Sequence, residues 1–130
     1  MPHISSKQFK DGELTVLYQE LSAALGRASK RSKTHSFLGN LFTKTEKIML
    51  AKRFAVICMI AKGVPHSYIA AALGMSPATV ARMSLLSEKG NYDTLLLVSK
   101  QEDIGEILEK ILRAGLPPIR GRGRWKFLYE

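Results

Sequence analysis

Acidic residues are scarce in this 130-residue chain: 11 Asp and Glu stand against 20 Lys and Arg, a formal net charge of +9. Cysteine is scarcer. The single Cys58, inside the apolar run FAVICMIA, can form neither an internal disulfide nor a zinc site. It reads as a small core residue and suits a reducing cytoplasm. His3, His35 and His66 are scattered without metal-ligand spacing. No nucleophile and base fall together and nothing resembles a phosphate-binding loop, so neither catalysis nor a cofactor nor a metal is expected. No apolar run approaches the ~18 residues of a membrane span. The opening MPHISSKQFKDGE lacks the apolar stretch of a signal peptide. A cytoplasmic protein without a membrane partner is the expectation. Strand patterns and internal repeats are lacking too.

What charge there is lies unevenly. Residues 1–82 hold twelve Lys and Arg against four acids, residues 83–116 four against six, and residues 117–130 four against one. A basic first part and a basic tail around a mildly acidic segment point to a polyanionic partner. Nucleic acid comes before membrane, because no long basic amphipathic helix is present.

The apolar residues repeat at helical spacing, which predicts an all-α chain of five or six helices. Residues 1–10 read as an arm, 11–116 as the helical domain and 117–130 as a basic tail. From Asp11, a candidate cap, Leu14, Leu17, Tyr18, Leu21, Leu25 and Ala28 form one stripe. The polar KRSKTHS, residues 30–36, reads as a loop. Phe37, Leu38, Leu41 and Phe42 make a short apolar turn or helix. Thr43 and Glu46 have capping-box spacing. The helix they open is apolar almost all round beyond Arg53, so it reads as the central buried helix. Gly63 ends it. A turn around Gly90–Asn91 precedes one bent helix or two, with Ile104, Ile107, Leu108, Ile111 and Leu112 on one face and Glu102, Asp103, Glu106 and Glu109 solvated.

YIAAALGMSPATVARM, residues 68–83, is the most informative stretch. Ile69 and the small Ala70 let a second helix cross closely. Leu73 closes the face, and Gly74 supplies a left-handed turn that a Cβ resists. Ser76 can cap the next helix and Pro77 suits its first position. Val80 and Met83 then point inward. This is the pattern of a helix-turn-helix, whose second helix enters the major groove of duplex DNA. Pro77, Ala78, Ala81 and Arg82 are left facing out. Arg82 can bond guanine or phosphate, and Ala78 or Ala81 can meet a thymine methyl. Ser76 and Thr79, with His66, Ser67 and Tyr68 at the first helix's start, suit phosphates. So do Lys30, Arg31 and Lys33.

The longer segment FLGNLFTKTEKIMLAKRFAVICMIAKGVPHSYIAAALGMSPATVAR resembles the core of the Trp repressor family over roughly residues 37–87. The preceding LFTKTE, AKR and KG narrow the resemblance beyond the helix-turn-helix alone. It implies an intertwined homodimer that binds operator DNA, and an effector pocket in which two arginines sandwich a tryptophan indole. The matching positions are Arg53 and Arg82, and Thr43 and Thr79 match as well. Met83 stands where the family has a glycine beside the indole, and Leu86 where it has a serine near the ligand's amino group. Both replace space or polarity by apolar bulk, so tryptophan is not the expected effector.

The tail IRGRGRWKFL resembles a minor-groove hook through Arg120, Arg122 and Arg124, although the proline that usually flanks the second arginine is missing. A solvated basic tail is the plainer alternative. The sequence therefore leads to a dimeric transcription regulator with half-sites ~34 Å apart. Three other readings remain: a DNA-recognition subunit of a transposase-type system, a basic RNA-binding protein, and a structural interaction module with no nucleic-acid ligand.

Overall fold

The structure, a computed structural model, describes residues 10–99 and 101–115, the side chains of Asp11 and of residues 101–104 excepted. The arm, Lys10 apart, and the tail with Arg120, Arg122 and Arg124 lie outside the described residues. Seven helices follow in order: α1 Asp11–Lys30, α2 Thr34–Leu41, α3 Lys44–Ala61, α4 His66–Leu73, α5 Pro77–Glu88, α6 Asp93–Val98 and α7 Gln101–Gly115. There is no strand among the described residues. The chain is all-α, with seven helices among the described residues rather than the expected five or six. Two compact units divide it, residues 1–47 and 48–130.

In the first unit α1 packs on α2. Lys10, not Asp11, is the cap of α1; the Lys10 carbonyl accepts from Glu13 and Leu14 N–H, which makes Asp11 the first helical residue. Ser32 ends the helix in the left-handed region at φ 56°. Its N–H donates to Ser29 O and the Lys33 N–H donates to Ala28 O, at 3.1 and 2.7 Å. This paired closure normally uses glycine. It turns the chain within three residues, so α2 already starts at Thr34 and the expected loop over 30–36 is shorter. The capping box forms as the spacing implies. Thr43 N–H donates to Glu46 Oε1 at 2.8 Å, and Glu46 N–H donates to Thr43 Oγ1 at 3.2 Å. The Thr43 backbone donor, and then its side chain, hold the Glu46 carboxyl below the ordinary glutamate range.

The second unit holds the main core. Ala55, Val56, Ile57, Cys58 and Met59 are buried on α3, but Ile48, Leu50 and Phe54 stay 41–49 % exposed. Burial is thus confined to the second half of a helix expected to be buried throughout. The exposed apolar residues stand among Lys47, Lys52 and Arg53, whereas the buried Ala55 to Met59 are uninterrupted apolar sequence. Gly63, at φ 78°, closes α3 and sends Val64 back onto the core beside Met59. Packing of α7 on α4 supplies Leu108 and Leu112 to the cluster of Ile69 and Leu73. A Cβ at Gly115 would stand 2.4 Å from Ala72 Cα, so glycine is needed for this approach. Ile107, expected on the inner face, is 58 % exposed. It lies about 100° around the helix from Leu108, off the buried line of Gly105, Leu108 and Leu112. No helix among the described residues is long and apolar enough to cross a membrane.

Candidate nucleic-acid interface

Two short helices and a glycine turn build the site. On α4, Ile69, Ala70 and Leu73 are all buried. Gly74 adopts φ 63°, ψ 39°, the left-handed conformation open to a residue without a Cβ. The Met75 N–H then donates to Ala70 O at 3.0 Å, and Met75 packs half-buried against the core. Ser76 caps α5: its Oγ accepts the Thr79 N–H at 3.1 Å and lies 2.8 Å from Thr79 Oγ1. Pro77, at the helix start, forgoes a hydrogen bond that an α-helix leaves unmade there. Val80 and Met83 are buried at 0 and 8 % exposure, which locks α5 across α4.

That orientation decides what faces water. Pro77, Ala78, Ala81 and Arg82 are exposed, Ser76 is exposed, and Thr79 is half-buried. Leu85, also on α5, is 58 % exposed and continues this face. Sequence reasoning passed over it, although its spacing of four from Ala81 and eight from Pro77 is a legible signal. His66 and Ser67 are exposed at the start of α4, and Tyr68 is half-buried against the core. Neither α4 nor α5 has an acid in its first turn, so the positive ends of both helix dipoles are left without a local counter-charge. In the first unit, Lys30, Arg31 and Lys33 are exposed around the α1–α2 turn. Arg31 and Lys33 border a cleft of about 410 Å³ with Arg27, whose guanidinium pairs with Glu20 at 2.7 Å.

Behind α5 lies a cavity of about 190 Å³. Met49, Lys52 and Arg53 line it from α3, Met75 from the turn, and Thr79 and Met83 from α5. The structure therefore brings together Arg53 and Thr79 of the four effector-pocket positions. Arg82 is exposed on α5 and is not part of the lining; Thr43 belongs to the first unit, where it forms the capping box. Met83 forms a wall. Leu86 is half-buried elsewhere on α5. Lys52, Met49 and Met75 are lining residues that the family correspondence does not assign to the pocket. No group of three or more His, Cys, Asp or Glu side chains that could hold a metal occurs among the described residues.

The turn, its cap and the crossing of α4 and α5 define a helix-turn-helix protein. The chain matches the family described as Trp repressor protein over residues 17–102, and it belongs to that family. No curated protein and no solved structure matches it. The family is a regulatory DNA-binding one rather than an enzymatic one, and membership suggests a DNA-binding regulator.

Proposed function

We propose that this protein is a homodimeric, sequence-specific transcription regulator that places α5 in the major groove of duplex DNA. The observation that carries the reading is the capped, glycine-turned α4–α5 pair. It leaves Pro77, Ala78, Ala81 and Arg82 outward on a chain of net charge +9. In this reading Ala78, Ala81 and Arg82 meet base edges. His66, Ser67, Tyr68, Ser76 and Thr79 meet the sugar–phosphate backbone, and Lys30, Arg31 and Lys33 add sequence-independent phosphate contacts. Dimerisation is supported by the apolar stripe of α1, where Leu14, Leu17 and Tyr18 are each more than half exposed. Tryptophan is not the effector. The cavity behind α5 keeps Arg53 but is not lined by Arg82, and it is walled by Met83. Leu86 offers a ligand ammonium no hydroxyl.

Selection of bound duplexes from a random library, with and without millimolar tryptophan, tests the reading. One enriched palindromic motif, unchanged by tryptophan, is the expected result. Tight RNA binding with no enriched duplex would replace it by the RNA-binding alternative. A tryptophan-dependent rise in affinity would overturn the reading of the cavity.

A further inference from the structure

The outward face of α5 is poor in hydrogen-bonding groups. Within residues 77–84 the exposed positions are Pro77, Ala78, Ala81 and Arg82, and only Arg82 has a polar side chain. The two hydroxyls at the helix start, Ser76 Oγ and Thr79 Oγ1, are bonded to each other at 2.8 Å, and Ser76 Oγ also accepts the Thr79 N–H. One turn further on, the same face carries Leu85, 58 % exposed. Pro77, Ala81 and Leu85 are spaced by four, so they form one apolar row along the helix, with Ala78 beside it.

An apolar row complements only one kind of group on the floor of the major groove. Beyond nitrogen, oxygen and the small C–H edges of cytosine and the purines, the one apolar group that projects there is the C5-methyl of thymine. An alanine methyl cannot bond a base nitrogen or oxygen, but it can pack against another methyl. A cytosine methylated at C5 offers the same group at the same pyrimidine carbon. Where that methyl is absent, the gap beside alanine holds at best a water with the base edge as its only polar partner, a poor site. Resting on the reading of α5 as the groove-facing helix, we infer that this chain recognises its duplex chiefly through pyrimidine C5-methyl groups packed on Ala78 and Ala81. Arg82 supplies the one side-chain hydrogen bond from these turns to a base edge. Affinity therefore depends on thymine methyls and rises when cytosine at the same position is methylated at C5.

The test uses the full chain and the duplex enriched from the random library. The duplex is resynthesised with deoxyuridine replacing thymine, one position at a time, and with cytosine or 5-methylcytosine at the sensitive positions. Each methyl contact is worth about fourfold in affinity, the ratio given by burying one methylene-sized group. One or two positions per half-site should show that loss with deoxyuridine. At those positions 5-methylcytosine should bind about fourfold better than cytosine. In Ala78→Gly or Ala81→Gly the thymine-to-uracil ratio should fall toward one. A general loss of helix stability lowers affinity for both duplexes alike and leaves the ratio unchanged. Equal affinity for thymine and uracil at every position, or a ratio that persists in both glycine variants, overturns the inference while leaving the DNA-binding reading intact. If no duplex is enriched, the groove-facing role of α5 fails and the inference with it.

Discussion

Residues 48–130 and residues 1–47 use the same kind of amphipathic helix and reach opposite outcomes. In the second unit the apolar faces meet within the chain: Ile57, Met59, Ile69, Leu108 and Leu112 are all essentially inaccessible. In the first, Ala28 is the one buried hydrophobic side chain among the described residues. The stripe of α1 leaves Leu14, Leu17 and Tyr18 at 58, 52 and 69 % exposure. The difference teaches that helical periodicity identifies a face to be covered but not the molecule that covers it. A one-chain core satisfies α7. The stripe of α1 is where the proposed second copy has something to cover.

The largest effect that sharpens this contrast is expected in the second unit. Leu112→Ala removes a fully buried side chain between α7 and α4 and should cost about 2–5 kcal/mol in denaturant unfolding. A cost near zero would mean that α7 does not belong to the core. Next comes the first unit. Replacing Leu17 and Tyr18 together by serine changes none of the residues that form the second unit's core. Burial of two such side chains against a partner predicts a dimer dissociation constant weakened by roughly 100-fold or more, read by sedimentation equilibrium. An unchanged assembly state would show that another surface holds the copies together.

The smallest effect concerns the capping box at the start of α3. The Glu46 carboxyl is held below its ordinary range by the Thr43 backbone donor and then the Thr43 side chain. A carboxylate lowered by folding stabilises the fold above its unfolded value, and that contribution is lost as pH falls through the folded value. Glu46→Ala should therefore lower the unfolding midpoint at neutral pH. The gap from the unmodified chain should close on acidification below the ordinary glutamate range. A gap that stays constant into strong acid would remove the ionised capping contact from the account.

Local chemistry made much of this legible in advance. Gly74, Ser76 and Pro77 specify a turn and a helix start because each residue type answers one backbone requirement. Thr43–Glu46, Gly63 and Gly90 mark boundaries for the same reason. Ser32 was harder to read, since a serine performs a left-handed reversal usually given to glycine and so shortens the loop before α2. The exposed first half of α3 was also hidden, because Ile48, Leu50 and Phe54 are themselves as apolar as the buried residues, and only the interspersed Lys47, Lys52 and Arg53 set them apart. In the candidate site, the family correspondence names Arg53, Arg82, Thr43 and Thr79, whereas one cavity is lined by Arg53 and Thr79 but not by Arg82. Sharing a helix does not place two side chains in one cavity: Thr79 and Met83 turn to it, whereas Arg82, adjacent to Met83, is exposed. The contribution of α7 lies outside that correspondence, which spans roughly residues 37–87, and was legible only from the helical spacing of Leu108 and Leu112.

Titration of the full chain and of Ala81→Glu against the selected duplex tests the central claim, that the outward face of α5 reads DNA. Ala81 is exposed, so the substitution leaves the buried residues of α5 in place, and helical content and unfolding midpoint should match the unmodified protein. A carboxylate set against base edges and phosphates should reduce binding to the level of unrelated duplexes, which for specific binders lies roughly 10³-fold or more below the specific affinity. If the folded Ala81→Glu protein binds the selected duplex as tightly as the unmodified chain, α5 does not enter the groove and the account is wrong.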